Sequence, residues 1–198
     1  MRIPHAMADI WKEMKASTFR QLRGPLHAKR HLKERSLTQW GAVLAAMNSP
    51  HLGRFAAVLT DTTAGLPEDV TLVALRALAN RFAAVAGGML EHGLWQPPAR
   101  VFAIFEHSVR LTHHIQRAFA DTYMEVAPHK VPIEGCFMPK FLADPFLEMA
   151  DCIANVVTRN IKYRRAHPNP ADYTPQFQAL FRDVDRSLAS YMEVTAVQ

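Results

Sequence analysis

Apolar positions three or four residues apart dominate the chain, interrupted by three short runs that are mostly apolar. Residues 6–22 carry Met7, Ile10, Trp11 and Met14 at helical spacing, and Gly24 with Pro25 ends that pattern. Ser36 followed by Gln39 is a capping-box signature. It opens a helix whose inward stripe is Trp40, Val43, Leu44 and Met47, closed by Asn48, Ser49 and Pro50. The run 54–61, "RFAAVLTD", reads as a buried strand. Pro67, Glu68 and Asp69 then start a long helix with Val70, Val73, Ala77, Leu78, Phe82 and Val85 on one side.

Beyond Gly93 and Pro97-Pro98, "RVFAIFE" (100–106) is the clearest strand, followed by a helix from about Ser108, read as its N-cap, to Phe119. "VPIEGCFM" (131–138) is a weaker strand, because Pro132 and Gly135 suit an edge or a bulge. Residues 144–160 form a helix capped by Asp144, with Pro145 in its first position and Phe146, Ala150, Ile153, Val157 and Ile161 as its packing face. A Pro-rich joint leads to a last helix carrying Phe177, Leu180, Phe181, Val184, Leu188 and Tyr191 on one side. Strands alternating with helices predict an α/β layer with a small, mostly parallel sheet flanked by helices. Three strands leave at least one sheet edge open to self-pairing, so a homo-oligomer formed through that edge is a possible assembly.

Composition narrows the class. With 198 residues, 49% of them hydrophobic, the chain can bury a substantial core. Cys136 and Cys152 lack the spacing of a zinc site or a disulfide framework, which fits a reducing cytoplasm. No stretch has the unbroken apolar length of a membrane span. The net charge of +5 is uneven: residues 11–35 hold Lys12, Lys15, Arg20, Arg23, Lys29, Arg30, Lys33 and Arg35 against Glu13 and Glu34. Such a segment is a candidate contact for nucleic-acid phosphates. A second cluster, Arg159, Lys162, Arg164 and Arg165, also suits the dipole at the end of its own helix.

Three acids invite chemistry. Asp61 and Glu106 each end a predicted strand, where open α/β sheets border their ligand crevice. Asp151 lies deep inside a helix, where Asp is a poor helix former and too far along to cap. A helical wheel puts it at the border of the packing face, in line with Asn155, Thr158 and Lys162. If the three converged, their mutual repulsion would call for a hard cation, Mg²⁺ or Mn²⁺. Acids in such places are more often turn formers or solvated groups. His27 and His31 are four apart, but no convincing third ligand accompanies them for zinc.

"RVFAIFEHSVR" (100–110) and "FLEMADCIANVVTRN" (146–160), with "GPLHAKRHL" (24–32), resemble the family called domain of unknown function 3800, whose fold is ribonuclease H-like. The resemblance spans roughly residues 20–165 and aligns Phe105-Glu106, Ala150-Asp151 and Leu26-His27 with family motifs. It implies a metal-dependent nuclease-like site at Glu106 and Asp151, which Asp61, by its strand-end position, would join as a metal ligand and which His107, beside Glu106, would assist in catalysis. One such domain is expected over residues 1–168, with a C-terminal helix over 169–198, beyond the Pro-rich joint, packed on it. Two departures weaken the site. The family's opening strand with Asp-Glu-Ser-Gly is missing, so the chain is expected to be incomplete at its N-terminus, and Pro25 stands where the family often has Glu. The polypeptide is therefore expected to be an inactive or incomplete nuclease, with a noncatalytic interaction or nucleic-acid-binding module as the alternative.

Overall fold

The computed structural model describes residues 3–33, 36–47, 56–59, 80, 84, 87–88, 91–93, 101–109, 111–120, 123–126, 129–139, 142, 144–188 and 192–195. In chain order the elements are α1 (Ile3–Thr18), α2 (Ala28–His31), α3 (Leu37–Met47), β1 (Ala56–Leu59), β2 (Val101–Glu106), α4 (Thr112–Phe119), β3 (Tyr123–Val126), β4 (His129–Met138), α5 (Pro145–Ala166), a 3₁₀ turn (Pro170–Asp172), α6 (Pro175–Leu188) and β5 (Met192–Thr195). The fold is mixed helix and strand and divides into two compact units. The first comprises Met1–Ala56 and Lys140–Met192, the second Ala57–Pro139 and Glu193–Gln198. The expected boundary at residue 168 falls inside the first unit.

In the first unit, the apolar stripes of α1 and α3 go where their spacing puts them. Met7, Trp11 and Met14 are buried on α1, as are Trp40, Val43, Leu44 and Met47 on α3. Helix α3 packs on α1 and α6, while α1 and α2 both pack on α5. Helix α5 starts as its sequence dictates: Asp144 Oδ1 accepts from the N–H groups of Phe146 and Leu147, both at 3.0 Å, and Pro145 fills a position whose N–H has no helical partner. At its other end Tyr163 stacks on Phe177 with ring centroids 3.5 Å apart, and its hydroxyl accepts from Thr174 N–H at 3.1 Å, which ties α5 to the start of α6.

The buried face of α5 differs from the expected one. It carries Glu148, Met149, Cys152, Val156, Val157 and Asn160, whereas Phe146 is 37% exposed and Ala150 is exposed too. The face is rotated by roughly a quarter of a turn, one residue's step on a helix, because a glutamate and an asparagine lie inside.

In the second unit, β2, β4 and β3 form a sheet in that order. Strand β2 runs parallel to β4, from Val101 beside Ile133 to Glu106 beside Met138. Strand β3 runs antiparallel to β4, from Tyr123 opposite Pro132 to Val126 opposite His129. The sheet is thus mixed, with one parallel pair rather than mostly parallel pairing. β4 is its central strand, which corrects the edge expectation for 131–138. The reason is a change of partner: residues 129–132 pair with β3 and residues 133–138 with β2. Pro132 sits at that switch, where its missing N–H interrupts neither ladder midway. Helix α4 packs on β4, burying Ile115 and Phe119.

Several boundaries move. The N-cap residue of α4 is Leu111, not Ser108; Ser108 instead offers its carbonyl to the N–H groups of Leu111 and Thr112. The last helix ends at Leu188 and is followed by β5, which pairs with β1. Neither β3 nor β5 was expected. Of the helix predicted after Pro67, residues 80, 84, 87, 88 and 91 are described and helical, and Gly93 follows with φ 67°. The rest of that helix lies outside the described residues. Asp144→Ala should cost about 1 kcal/mol, read as a lower urea midpoint with an unchanged slope.

Candidate functional site

Trp11 and Lys15 are one helical turn apart, so α1 presents both on the same side. Facing them is Glu148 in the first turn of α5, only 4% exposed. Trp11 Nε1 donates to Glu148 Oε2 at 2.6 Å, and Lys15 Nζ donates to Oε1 at 2.7 Å. The N–H of Leu26 reaches the same Oε1 at 2.9 Å. Three donors on two oxygens suit a carboxylate, which accepts only. A buried carboxylate is tolerated when its desolvation is offset by this number of charge-assisted bonds.

The segment after Gly24 is laid on α5 by its backbone. Pro25 has no N–H. The next three N–H groups each meet a side-chain acceptor at 2.9 Å: Leu26 on Glu148 Oε1, His27 on His31 Nδ1 and Ala28 on Asp151 Oδ2. Lys15 Nζ also donates to the carbonyl of Gly24 at 3.2 Å. Leu26, Ala28 and Leu32 are buried, and fully burying a leucine contributes about 1.5–3 kcal/mol. Lys29, Arg30 and Lys33 remain exposed. The opening of short helix α2, whose cap residue His27 makes no side-chain cap bond, is therefore capped in part from α5.

Asp151 is exposed, and its Oδ2 anchors the backbone of Ala28 to α5. Glu106 ends β2, is exposed and belongs to the second unit, whereas Asp151 belongs to the first. His107 follows Glu106, is exposed, and its N–H donates to the carbonyl of Met138 at 2.8 Å. Asp61 lies outside the described residues. Among the described residues, no three His, Cys, Asp or Glu side chains gather into a group that could hold a metal ion.

The basic segment 11–35 needs one correction. Lys15 is not a surface cation; its side chain is 17% exposed and paired with Glu148. Lys12 pairs with Asp9 at 3.8 Å, and Arg35 lies outside the described residues. In the second basic cluster, Arg159 packs over Trp40 at 5.9 Å and Arg164 Nε donates to buried Asn160 at 2.6 Å, which favours a role in packing their own helix. Burial pushes the pKa of Cys152 well up, aided by Asp151 and Glu148, so this thiol is a poor nucleophile. Burial and the positive charge of Arg30 lower the pKa of His31, with His27 and Lys15 adding to the effect.

The sequence pattern does not single out Glu148, Trp11 and Lys15 as one cluster. Their signal was present but weak: a glutamate between Leu147 and Met149, and a tryptophan and lysine one turn apart. Among the described residues no helix is long and apolar enough to cross a membrane. The chain matches no family model, no curated protein and no solved structure. The resemblance to domain of unknown function 3800 rests on its short motifs alone.

Lys15→Met should lower stability by about 3 kcal/mol, because it strands a buried carboxylate without its counter-ion. Glu148→Gln should cost about 1–3 kcal/mol, since the amide turns a donor toward another donor. Asp151→Asn keeps an acceptor for Ala28 and should stay within about 0.5 kcal/mol. Chemical denaturation of the three variants checks the order; equal losses would contradict the assignment of roles.

Proposed function

We propose that the chain is a phosphate-binding module that docks on a nucleic-acid backbone through residues 20–33. One observation carries this reading: the N–H groups of Leu26, His27 and Ala28 are all held by side chains, while Lys29, Arg30 and Lys33 stay exposed beside them. With Arg20 and Arg23, also exposed, that makes five cations across a stretch containing no acid. A pinned backbone lowers the ordering cost that a floppy basic tail meets on binding. Each phosphate neutralised releases condensed counter-ions, which drives association and makes it salt-dependent.

The second reading is the metal-dependent nuclease implied by the resemblance, with Glu106, Asp151 and Asp61 around Mg²⁺ or Mn²⁺ and His107 assisting. Its support is that Asp151 is exposed and engages Ala28 through one oxygen, and carboxylates that bind metals are themselves commonly hydrogen-bonded. In that case the residues of this chain would orient a phosphodiester while the ion polarises it.

Binding of a labelled duplex oligonucleotide at several salt concentrations separates the two. The module reading expects affinity without added metal, falling with salt at a log–log slope of about −0.9 per phosphate contact. Lys29→Gln, Arg30→Gln and Lys33→Gln should each reduce that slope by about 1, whereas Asp151→Asn should leave it unchanged. Affinity insensitive to salt overturns this reading. Cleavage that needs Mg²⁺ or Mn²⁺ and disappears in both Asp151→Asn and Glu106→Gln would establish the nuclease.

A further inference from the structure

We propose that His31 is a proton-operated latch on the basic segment, so that acidification tightens its grip on phosphate. The inference rests on the phosphate-binding reading above and concerns how that site is regulated.

The latch is visible in the geometry. His31 Nδ1 accepts the N–H of His27 at 2.9 Å, and a ring nitrogen accepts only when unprotonated. The two imidazoles lie nearly parallel, with centroids 6.1 Å apart and planes 17° from parallel. A proton on Nδ1 would set one N–H donor against another, so the charged ring must leave the position that the neutral ring holds.

What surrounds His31 confines the change. From α1 comes Lys15, engaged by Glu148. Within the segment itself are His27, Lys29, Arg30 and Lys33. The acids of α5 are engaged elsewhere on the segment, Glu148 by Leu26 N–H and Asp151 by Ala28 N–H. Those two carboxylate bonds and the buried Leu26, Ala28 and Leu32 do not involve the imidazole, so they keep the segment on α5 while the ring swings. The outcome is one more cation in a stretch without acids, and the His27 N–H released from its intramolecular acceptor.

The direction of the pH effect follows. Burial, Arg30, His27 and Lys15 lower the pKa of His31 below its ordinary value. The stability contributed by the neutral ring is therefore complete above about pH 6.5 and is lost as pH falls from there toward the lowered value. An anion on the segment relieves the repulsion felt by the imidazolium and raises that pKa. By linkage, protonation must tighten anion binding by the same factor.

The test uses the full chain and a labelled duplex oligonucleotide at constant ionic strength. Affinity is measured at about pH 8 and about pH 5.5 for the wild type and His31→Asn, whose side-chain oxygen can accept from His27 without gaining charge. The wild type should gain about fivefold in affinity on acidification and His31→Asn should lose most of that gain. In parallel, the NMR titration midpoint of the His31 ring should rise when the oligonucleotide is added to wild-type protein, a readout that needs no variant. An equal acid gain in His31→Asn, or an unmoved midpoint, overturns the latch and leaves phosphate binding standing. No binding at either pH overturns both.

Discussion

The first unit depends on a charge taken out of water. Glu148 stands inside it because three donors come to it from two other parts of the chain: an indole and an ammonium from α1, and a backbone N–H from the turn after Gly24. Replacing water around a carboxylate demands directional partners in full number, whereas apolar packing alone accepts many arrangements. The cluster therefore fixes the rotation of α1 and α5 and the path of residues 24–28 together. Trp11 shows the double use most clearly: its ring is fully buried and its N–H faces the acid.

From that constraint follows the surface. Once Glu148 holds Leu26, the next acid one turn along α5 is placed to hold Ala28, two residues further on. An extended backbone offers successive N–H groups in alternating directions, and His31 takes the intervening one from the segment's own side. Glu148 and Asp151 repel across a helical turn by about 0.2–0.5 kcal/mol. The hydrogen bonds from the N–H groups of Leu26 and Ala28, about 0.5–1.5 kcal/mol each, outweigh that repulsion. The buried positions Leu26, Ala28 and Leu32 then turn Lys29, Arg30 and Lys33 outward, so the exposed basic face follows from the way Glu148 and Asp151 anchor the segment.

Local signals made much of this legible. Asp144 with Pro145 marks the start of α5, the stripe from Trp40 to Met47 marks the inner face of α3, and the run ending in Glu106 marks β2. Each depends on residues a few positions apart. The face of α5 escapes such signals because a wheel counts Glu148 and Asn160 as outward residues, and only partners elsewhere in the chain make them inward ones. Ala28 and Asp151 are 123 positions apart, a pairing that periodicity cannot reveal. β3 and β5 are four residues each, too short for alternation to stand out, and Pro132 misleads because its strand changes partner at that residue.

The two functional readings make different demands on the same carboxylate. A backbone N–H on Asp151 Oδ2 is compatible with metal ligation, since such bonds orient ligating carboxylates. A hard divalent ion, however, needs several oxygen ligands, and the nearest acid along α5 is committed: both oxygens of Glu148 hold protein donors, and surrendering them would undo the junction of α1, the 24–28 turn and α5. Metal chemistry at Asp151 would thus have to draw its remaining ligands from outside this cluster. Phosphate docking asks only that these bonds stay in place, with Glu148 buried, Asp151 holding the backbone of Ala28, and Lys29, Arg30 and Lys33 facing water. The existing bonds already meet that condition, and for this reason the binding reading ranks first.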